Sequence, residues 1–200
     1  MIHVQGKIPR TVFVAFSGGV DSVAVVDFLR RNHQVSLAYV NHGDEIAKAE
    51  QAFVEQYAEQ YNLPLFMKRA NTDKPRDNSW EEHWRNERYR FFRTEITGTV
   101  ITCHHLDDCV ETWLWNMCNG RDQTIPYNNL NVIRPFRTTR KFEFVDWCRR
   151  KHLKWFEDPT NANPQFATRN FIRHTLVPAA LQVNPGIHTT IRNKLLQEKI

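Results

Sequence analysis

The chain has no apolar stretch approaching the roughly 18 residues that suggest a membrane span. Its first ten residues, MIHVQGKIPR, lack the apolar centre of a signal peptide. A soluble, cytoplasmic protein with no membrane partner is the expectation. Four cysteines, Cys103, Cys109, Cys118 and Cys148, are too sparse and irregular for a disulfide framework, and none forms a Cys-x-x-Cys pair. They read as reduced thiols in or near the core. Gly-Lys-Ser, Gly-Lys-Thr and Gly-x-Gly-x-x-Gly are all missing, which excludes a Walker A loop and a dinucleotide fingerprint. Internal repeats and low-complexity tracts are missing too.

What remains is a chain of 200 residues, 41% hydrophobic, enough for one good core with a small appendage. Its net charge of +5 is unevenly spread. Residues 1–120 carry 13 basic side chains against 16 acidic ones, whereas residues 121–200 carry 14 against 6. The basic C-terminal part suits a polyanionic partner such as RNA, and equally suits a solvated basic face.

The stretch TVFVAFSGGVDS, residues 11–22, combines a buried strand, a Ser-Gly-Gly turn and a helix start. Val12 to Phe16 form the strand, and Asp21 and Ser22 head the apolar-periodic segment Val23, Val25, Val26, Phe28 and Leu29. Gly18 and Gly19 permit a tight turn and close approach to a ligand. Their amides, backed by a helix N-terminus, make a cradle for phosphate oxygens. Two glycines alone would fit any strand-to-helix turn, but Ser-Gly-Gly-x-Asp-Ser is more specific.

Val35 to Val40 read as a second strand ending in Asn41, His42 and Gly43, followed by Ile46, Phe53, Tyr57 and Tyr61 at helical spacing and a short run, Leu65 to Met67. This alternation predicts parallel βαβ units. After a polar loop over 70–78, Ser79 and Glu82 predict a capping box for a helix bearing Trp84, Phe91 and Phe92, with Arg85, Arg88 and Arg90 beside them. Thr99 to Cys103 is the next strand and runs into His104, His105, Asp107, Asp108 and Glu111. With a helix starting near Leu106, the three carboxylates are expected to share one sector of its first turn, at a strand end where open α/β sheets bind ligands. A helix N-terminus also favours acidic residues electrostatically. Adjacent histidines point apart and no cysteine has finger-like spacing, so zinc is disfavoured. Val132 and Ile133 make the last expected strand, and a helix follows from Lys141 to about Lys151. A loop marked by Pro159, Asn161, Asn163 and Pro164 leads to a helix capped by Thr168 that Pro178 should end or kink, and a short polar helix closes the chain.

SGGVDS resembles the pyrophosphatase-loop signature of enzymes that split ATP into AMP and pyrophosphate. Taken with VNHG at 40–43, Arg85-x-x-Arg88-Tyr89, HHLDDCVET at 104–112, RPF at 134–136, EDPTN at 157–161 and Arg169-Asn170-x-x-Arg173, it makes most of the chain resemble the tRNA(Ile)-lysidine synthase family. The resemblance implies a doubly wound, mostly parallel α/β sheet of the adenine nucleotide alpha hydrolase-like kind with a helical C-terminal segment. It implies that ATP adenylates the wobble cytidine of an isoleucine tRNA and that free lysine then displaces AMP. On this reading Ser17, Gly18, Gly19, Val20, Asp21 and Ser22 bind the ATP phosphates, with His42 and His104 at the nucleotide and Asp21 holding magnesium. Asp107, Asp108 and Glu111 would hold the amine of lysine or a second magnesium. Arg85, Arg88, Arg169 and Arg173 would neutralise phosphate or position tRNA.

Residues 1–155 are then the catalytic domain and 156–200 a basic helical extension packed on it, gripping RNA where relatives use accessory domains. Departures from the family pattern fall at Cys109, at Asp44 with Glu45, and in CNGRDQTIPYN at 118–128, a loop expected near the substrate. Alternatives are another enzyme of the superfamily, such as a tRNA thiolase, an amide-forming ligase or an ammonia-using synthetase, or a non-catalytic nucleotide- or RNA-binding relative. The missing Cys-x-x-Cys weakens the thiolase reading, and no segment resembles a glutaminase. Oligomeric state is left open.

Overall fold

The structure, a computed structural model, describes residues 1–43, 45–71, 73, 79–157 and 168–200. Six strands, β1 (Thr11–Ala15), β2 (Gln34–Asn41), β3 (Leu65–Arg69), β4 (Val100–Ile101), β5 (Asn128–Asn129) and β6 (Val132–Ile133), form one sheet in the order β3-β2-β1-β4-β6-β5. Every neighbouring pair is parallel except β5 with β6. The edge strand β5 has no strand signal of its own: two asparagines pair with Val132 and Ile133 only because the chain turns back there.

The sheet grows outward from β1 through α1 (Val20–Leu29) to β2 and through α2 (Glu45–Gln60) to β3, then returns through α3 (Trp80–Thr94) to β4 on the other side of β1. Right-handed crossovers require this reversal to put α3 on the opposite face. Packing follows that rule. Val12, Val14 and Phe16 join α1, Val54 and Tyr57 of α2, and Phe144 and Cys148 of α5 (Lys141–Arg150) in one core. Phe13 and Ala15, pointing the other way, meet Tyr89, Phe91 and Phe92 of α3. The period-2 alternation of β1 thus feeds two cores.

A third core lies between α4 (Leu106–Cys118) and α8 (Ile187–Gln197), where Leu106, Cys109 and Val110 meet Ile187, Ile191 and Leu195. The last helix is therefore amphipathic rather than polar, with buried residues at i, i+4 and i+8. Ahead of it, α6 (Thr168–Phe171) continues through a π-helical segment, Ile172–Leu176, into α7 (Val177–Val183). Pro178 sits in the first turn of α7. It does not stop the helix, because the wider π turn just before it absorbs the missing amide and the ring's steric demand. Ser79 caps α3 by accepting from Glu82 N at 3.1 Å, which is one half of the expected box. The expected loops over 70–78 and around Pro159, Asn161, Asn163 and Pro164 fall largely outside the described residues, as does Asp44.

Candidate active site at the carboxyl edge of the sheet

Strand order reverses between β1 and β4, so their carboxyl ends splay apart and leave the crevice in which open sheets bind ligands. One wall is the turn after β1. Gly18 has φ of +74°, and a Cβ there would lie 2.7 Å from the Phe53 ring, so this position requires glycine on two counts. Gly19 is the N-cap of α1 and supplies no side chain to it, which leaves the first-turn amides without a side-chain acceptor. Ser22 Oγ donates to Gly19 O at 2.9 Å, and Phe156 N donates to Gly18 O at 2.8 Å, binding the later chain to the turn.

The other wall is the start of α4. His105 is its N-cap: His105 Nδ1 accepts from Asp108 N at 3.2 Å, and Asp108 Oδ2 accepts from His105 N at 3.0 Å. The same imidazole reaches Asp21 of the turn, Nε2 to Oδ2 at 3.6 Å. His105, buried at 1% side-chain exposure, thus joins the two walls.

The three carboxylates do not share a sector. Adjacent helix positions are about 100° apart, and Asp107 turns toward α5 and α8, accepting from Lys141 N at 2.8 Å and lying 3.3 Å from Arg140 and His188. It caps α5. Asp108 and Glu111 instead face Arg169 and Arg173. Arg169 donates to Asp108 Oδ1 at 2.7 Å and to Glu111 Oε2 at 3.1 Å, and Arg173 donates to Glu111 Oε1 at 2.7 Å. The two arginines expected to meet phosphate or RNA are therefore engaged with carboxylates.

Against known proteins, the PP-loop domain family matches residues 3–180. The chain belongs to the PP-loop domain family. It is similar to the tRNA(Ile)-lysidine synthases of Lactiplantibacillus plantarum, 34% identical over 89% of this chain and 44% of the relative, and of Persephonella marina, 31% identical over 90% and 43%. The chain spans under half the length of these curated relatives. The solved structure of the U34-tRNA thiolase NcsA from Methanococcus maripaludis superposes with a TM-score of 0.72 at 17% identity, covering 97% of this chain and 75% of that one, which fixes the fold.

Around the PP-loop, electrostatics follow from this wiring. Burial alone would raise the pKa of Asp108, but His105, Arg169 and His104 outweigh it and hold the carboxyl well below its usual range. Asp107 is likewise depressed against burial, by His188, the Lys141 amide, His105 and Arg140. Asp108 is the largest cause of the raised pKa of Arg169. At His105 burial opposes the proton, yet Asp108, Asp21 and Asp107 raise its pKa. Its Nδ1 lone pair nevertheless holds the α4 cap, so the geometry is that of a neutral ring, and protonation would exchange the cap for ion pairs. His104, bonded to Thr102 Oγ1 at 2.9 Å, is pushed down to about 3 by burial and by Arg169, Arg134 and Arg85. It is neutral at physiological pH.

His42, at the end of β2, stacks on Trp84 with centroids 5.1 Å apart. Arg85 and Arg88 are exposed on α3. The 118–128 loop starts at the far end of α4 and folds back along it, placing Ile125 in one core with Leu106, Cys109 and Val110. Several basic side chains of the C-terminal part are also engaged internally. Arg134 donates to Tyr89 Oη and Pro126 O, Arg137 to Glu198, Gln5 and Ile125 O, and Lys194 pairs with Asp122. Sequence reasoning missed His105 as the link and Arg137 as a buried clasp. The signal for His105 was its position three residues before Asp108, the spacing of a cap.

Proposed function

We propose that the chain carries the ATP-dependent chemistry of a tRNA(Ile)-lysidine synthase, a ligase acting in the cytoplasm. In the first step a bond from the wobble cytidine of an isoleucine tRNA to the α-phosphorus forms as pyrophosphate leaves. In the second, a carbon–nitrogen bond to free lysine forms as AMP leaves. The name shared by relatives over about nine-tenths of this chain supports the substrates. The observation that carries the chemistry is His105 between Asp21 and Asp108, which lets the phosphate turn and α4 act on one bound molecule.

The backbone and hydroxyls of Ser17, Gly18, Gly19, Val20 and Ser22 hold the ATP phosphates on this reading. Asp21 Oδ1 is buried with no hydrogen-bond partner, an oxygen suited to magnesium, and among the described residues no cluster forms a full protein cage. That fits an ion completed by phosphate oxygens. Magnesium would supply neutralisation of phosphate charge. Neutral His104 offers the nucleotide a hydrogen bond without adding charge, and His42 stacked on Trp84 offers an aromatic face. Arg169 helps hold Asp108 ionised, Arg169 and Arg173 orient Glu111 through hydrogen bonds, and the remaining carboxylate lone pairs receive the lysine ammonium. Asp107 serves the fold, while Arg85 and Arg88 face phosphate or RNA. Residues 1–155 act as the catalytic domain, and 156–200 close it through Phe156, Arg169 and α8.

A thiolase reading is disfavoured: burial is the largest cause of the raised pKa values of Cys103, Cys109 and Cys148, and the exposed Cys118 stands at the far end of α4 from His105. The test is product analysis. Purified protein with ATP, lysine and an RNA hairpin bearing cytidine at the wobble position should form AMP and pyrophosphate, and a uridine hairpin should not support the reaction. Equal AMP formation with both hairpins would remove the cytidine assignment.

A further inference from the structure

Away from the PP-loop, α3 carries Arg85, Tyr89 and Arg93 at i, i+4 and i+8, a stripe in which two exposed arginines flank a buried tyrosine at the border of the core, with Asn86 and Arg90 in the adjoining stripe. Together with Asn129 of the edge strand β5 they line an open concavity of about 450 Å³. The Tyr89 ring is the centre of this arrangement. The guanidinium carbons of Arg85, Arg93 and Arg134 lie 5.3, 5.6 and 5.9 Å from its centroid, and buried Arg134 fixes the ring by donating to Tyr89 Oη at 2.7 Å. Three cations around one aromatic repel each other. Glu87 is taken by Arg90 at 2.7 Å and by the amide of Asn71 at 3.0 Å. Arg93 has a neutral partner, Asn129 Oδ1 at 3.2 Å, and among the described residues Arg85 and Arg93 form no ion pair. Arg134 Nε is buried with no hydrogen-bond partner.

We propose that this concavity is a docking site for the phosphodiester backbone of a nucleic acid, RNA on the functional reading above, on which that choice of polymer rests. The arrangement suits phosphate for two reasons. Guanidinium groups present paired donors to phosphate oxygens. The stripe from Arg85 to Arg93 is about 12 Å long, enough for two or three phosphates of a helical strand at about 3.4 Å rise. Arg85 is close enough to His104 to lower its proton affinity, so the Arg85 end of the stripe is the one on the side of His104. The site positions RNA without reading its bases.

The test uses the full chain with Arg90→Ala/Arg93→Ala, two exposed helix positions outside the proposed catalytic set, and Arg93→Glu as a second variant. Affinity for labelled cytidine and uridine hairpins is measured from about 50 to 300 mM salt. Loss of two single-strand phosphate contacts should lower the slope of log affinity against log salt by about 1.4 and weaken both hairpins by about tenfold at low salt, with ATP affinity unchanged. Unchanged affinity and slope would overturn the site. So would weakening confined to the cytidine hairpin, which would mean a base contact, or competition by polyglutamate as strong as by RNA, which would mean an acidic protein partner. Failure of the native chain to bind either hairpin would overturn it whichever substrate is correct. If both hairpins weaken together while neither supports AMP formation, the docking site stands and the lysidine reading falls.

Discussion

The start of α4 and the outer stripe of α3 are both rich in charge, and they use it in opposite ways. At α4, Asp107, Asp108 and Glu111 are answered by Arg140, the Lys141 amide, His188, Arg169 and Arg173. On α3, Arg85 and Arg93 face an aromatic ring and an asparagine. Charge matched inside the chain fixes backbone elements to one another, whereas unpaired charge on an exposed concave surface is held by water and stays free to meet a ligand. Arginine count does not separate the two cases.

The comparison breaks most visibly at Asp21, whose partners are at 3.6 and 3.7 Å and whose second oxygen is unpaired. Asp21→Ala should cut AMP formation by about 100-fold or more while leaving the urea midpoint in place; activity near the native level would remove the magnesium assignment. Next in size, Glu111→Gln takes the charge from a buried group bonded to two arginines and should destabilise the fold by about 3 kcal/mol in urea unfolding. Unaltered stability would mean that the pairing is not structural. Arg169→Ala/Arg173→Ala should likewise lower stability but leave the salt slope of RNA binding close to native, the reverse of the pattern expected on α3. A flattened slope would return those arginines to the RNA.

A further break is in pH dependence. The unfolded chain protonates His104 near its ordinary value of 6.5, while the folded chain resists until about 3. More protons are then bound by the unfolded state in that window, so stability falls as pH drops through it. His104→Gln should flatten this limb of the urea midpoint against pH. The depressed carboxyls of Asp107 and Asp108 add a loss only below their ordinary value of 3.8. An unchanged slope between pH 6.5 and 4 would mean that His104 is not held neutral.

The sheet was legible because parallel strands buried on both faces leave apolar runs, and Val12 to Phe16, Val35 to Val40 and the run before His104 needed no partner to be recognised. The PP-loop was legible because Gly18 has a conformation and a neighbour that only glycine tolerates. Asparagine-built β5 carries no intrinsic strand preference and depends wholly on β6. The direction of Asp107 depends on where α5 and α8 dock, which is tertiary information, and the π turn before Pro178 is a local answer to a proline that sequence rules treat as a stop. Pairing of Arg169 and Arg173 with α4 spans some 60 positions and leaves no periodic trace.

The most direct measurement of the central claim is covalent retention of labelled lysine on RNA. Protein, ATP, labelled lysine and a cytidine-bearing isoleucine tRNA should yield label that stays with the RNA after denaturation, absent without ATP and absent with Asp21→Ala. Bound ATP and bound RNA with no label on the RNA would contradict the account and leave a PP-loop protein of different substrate.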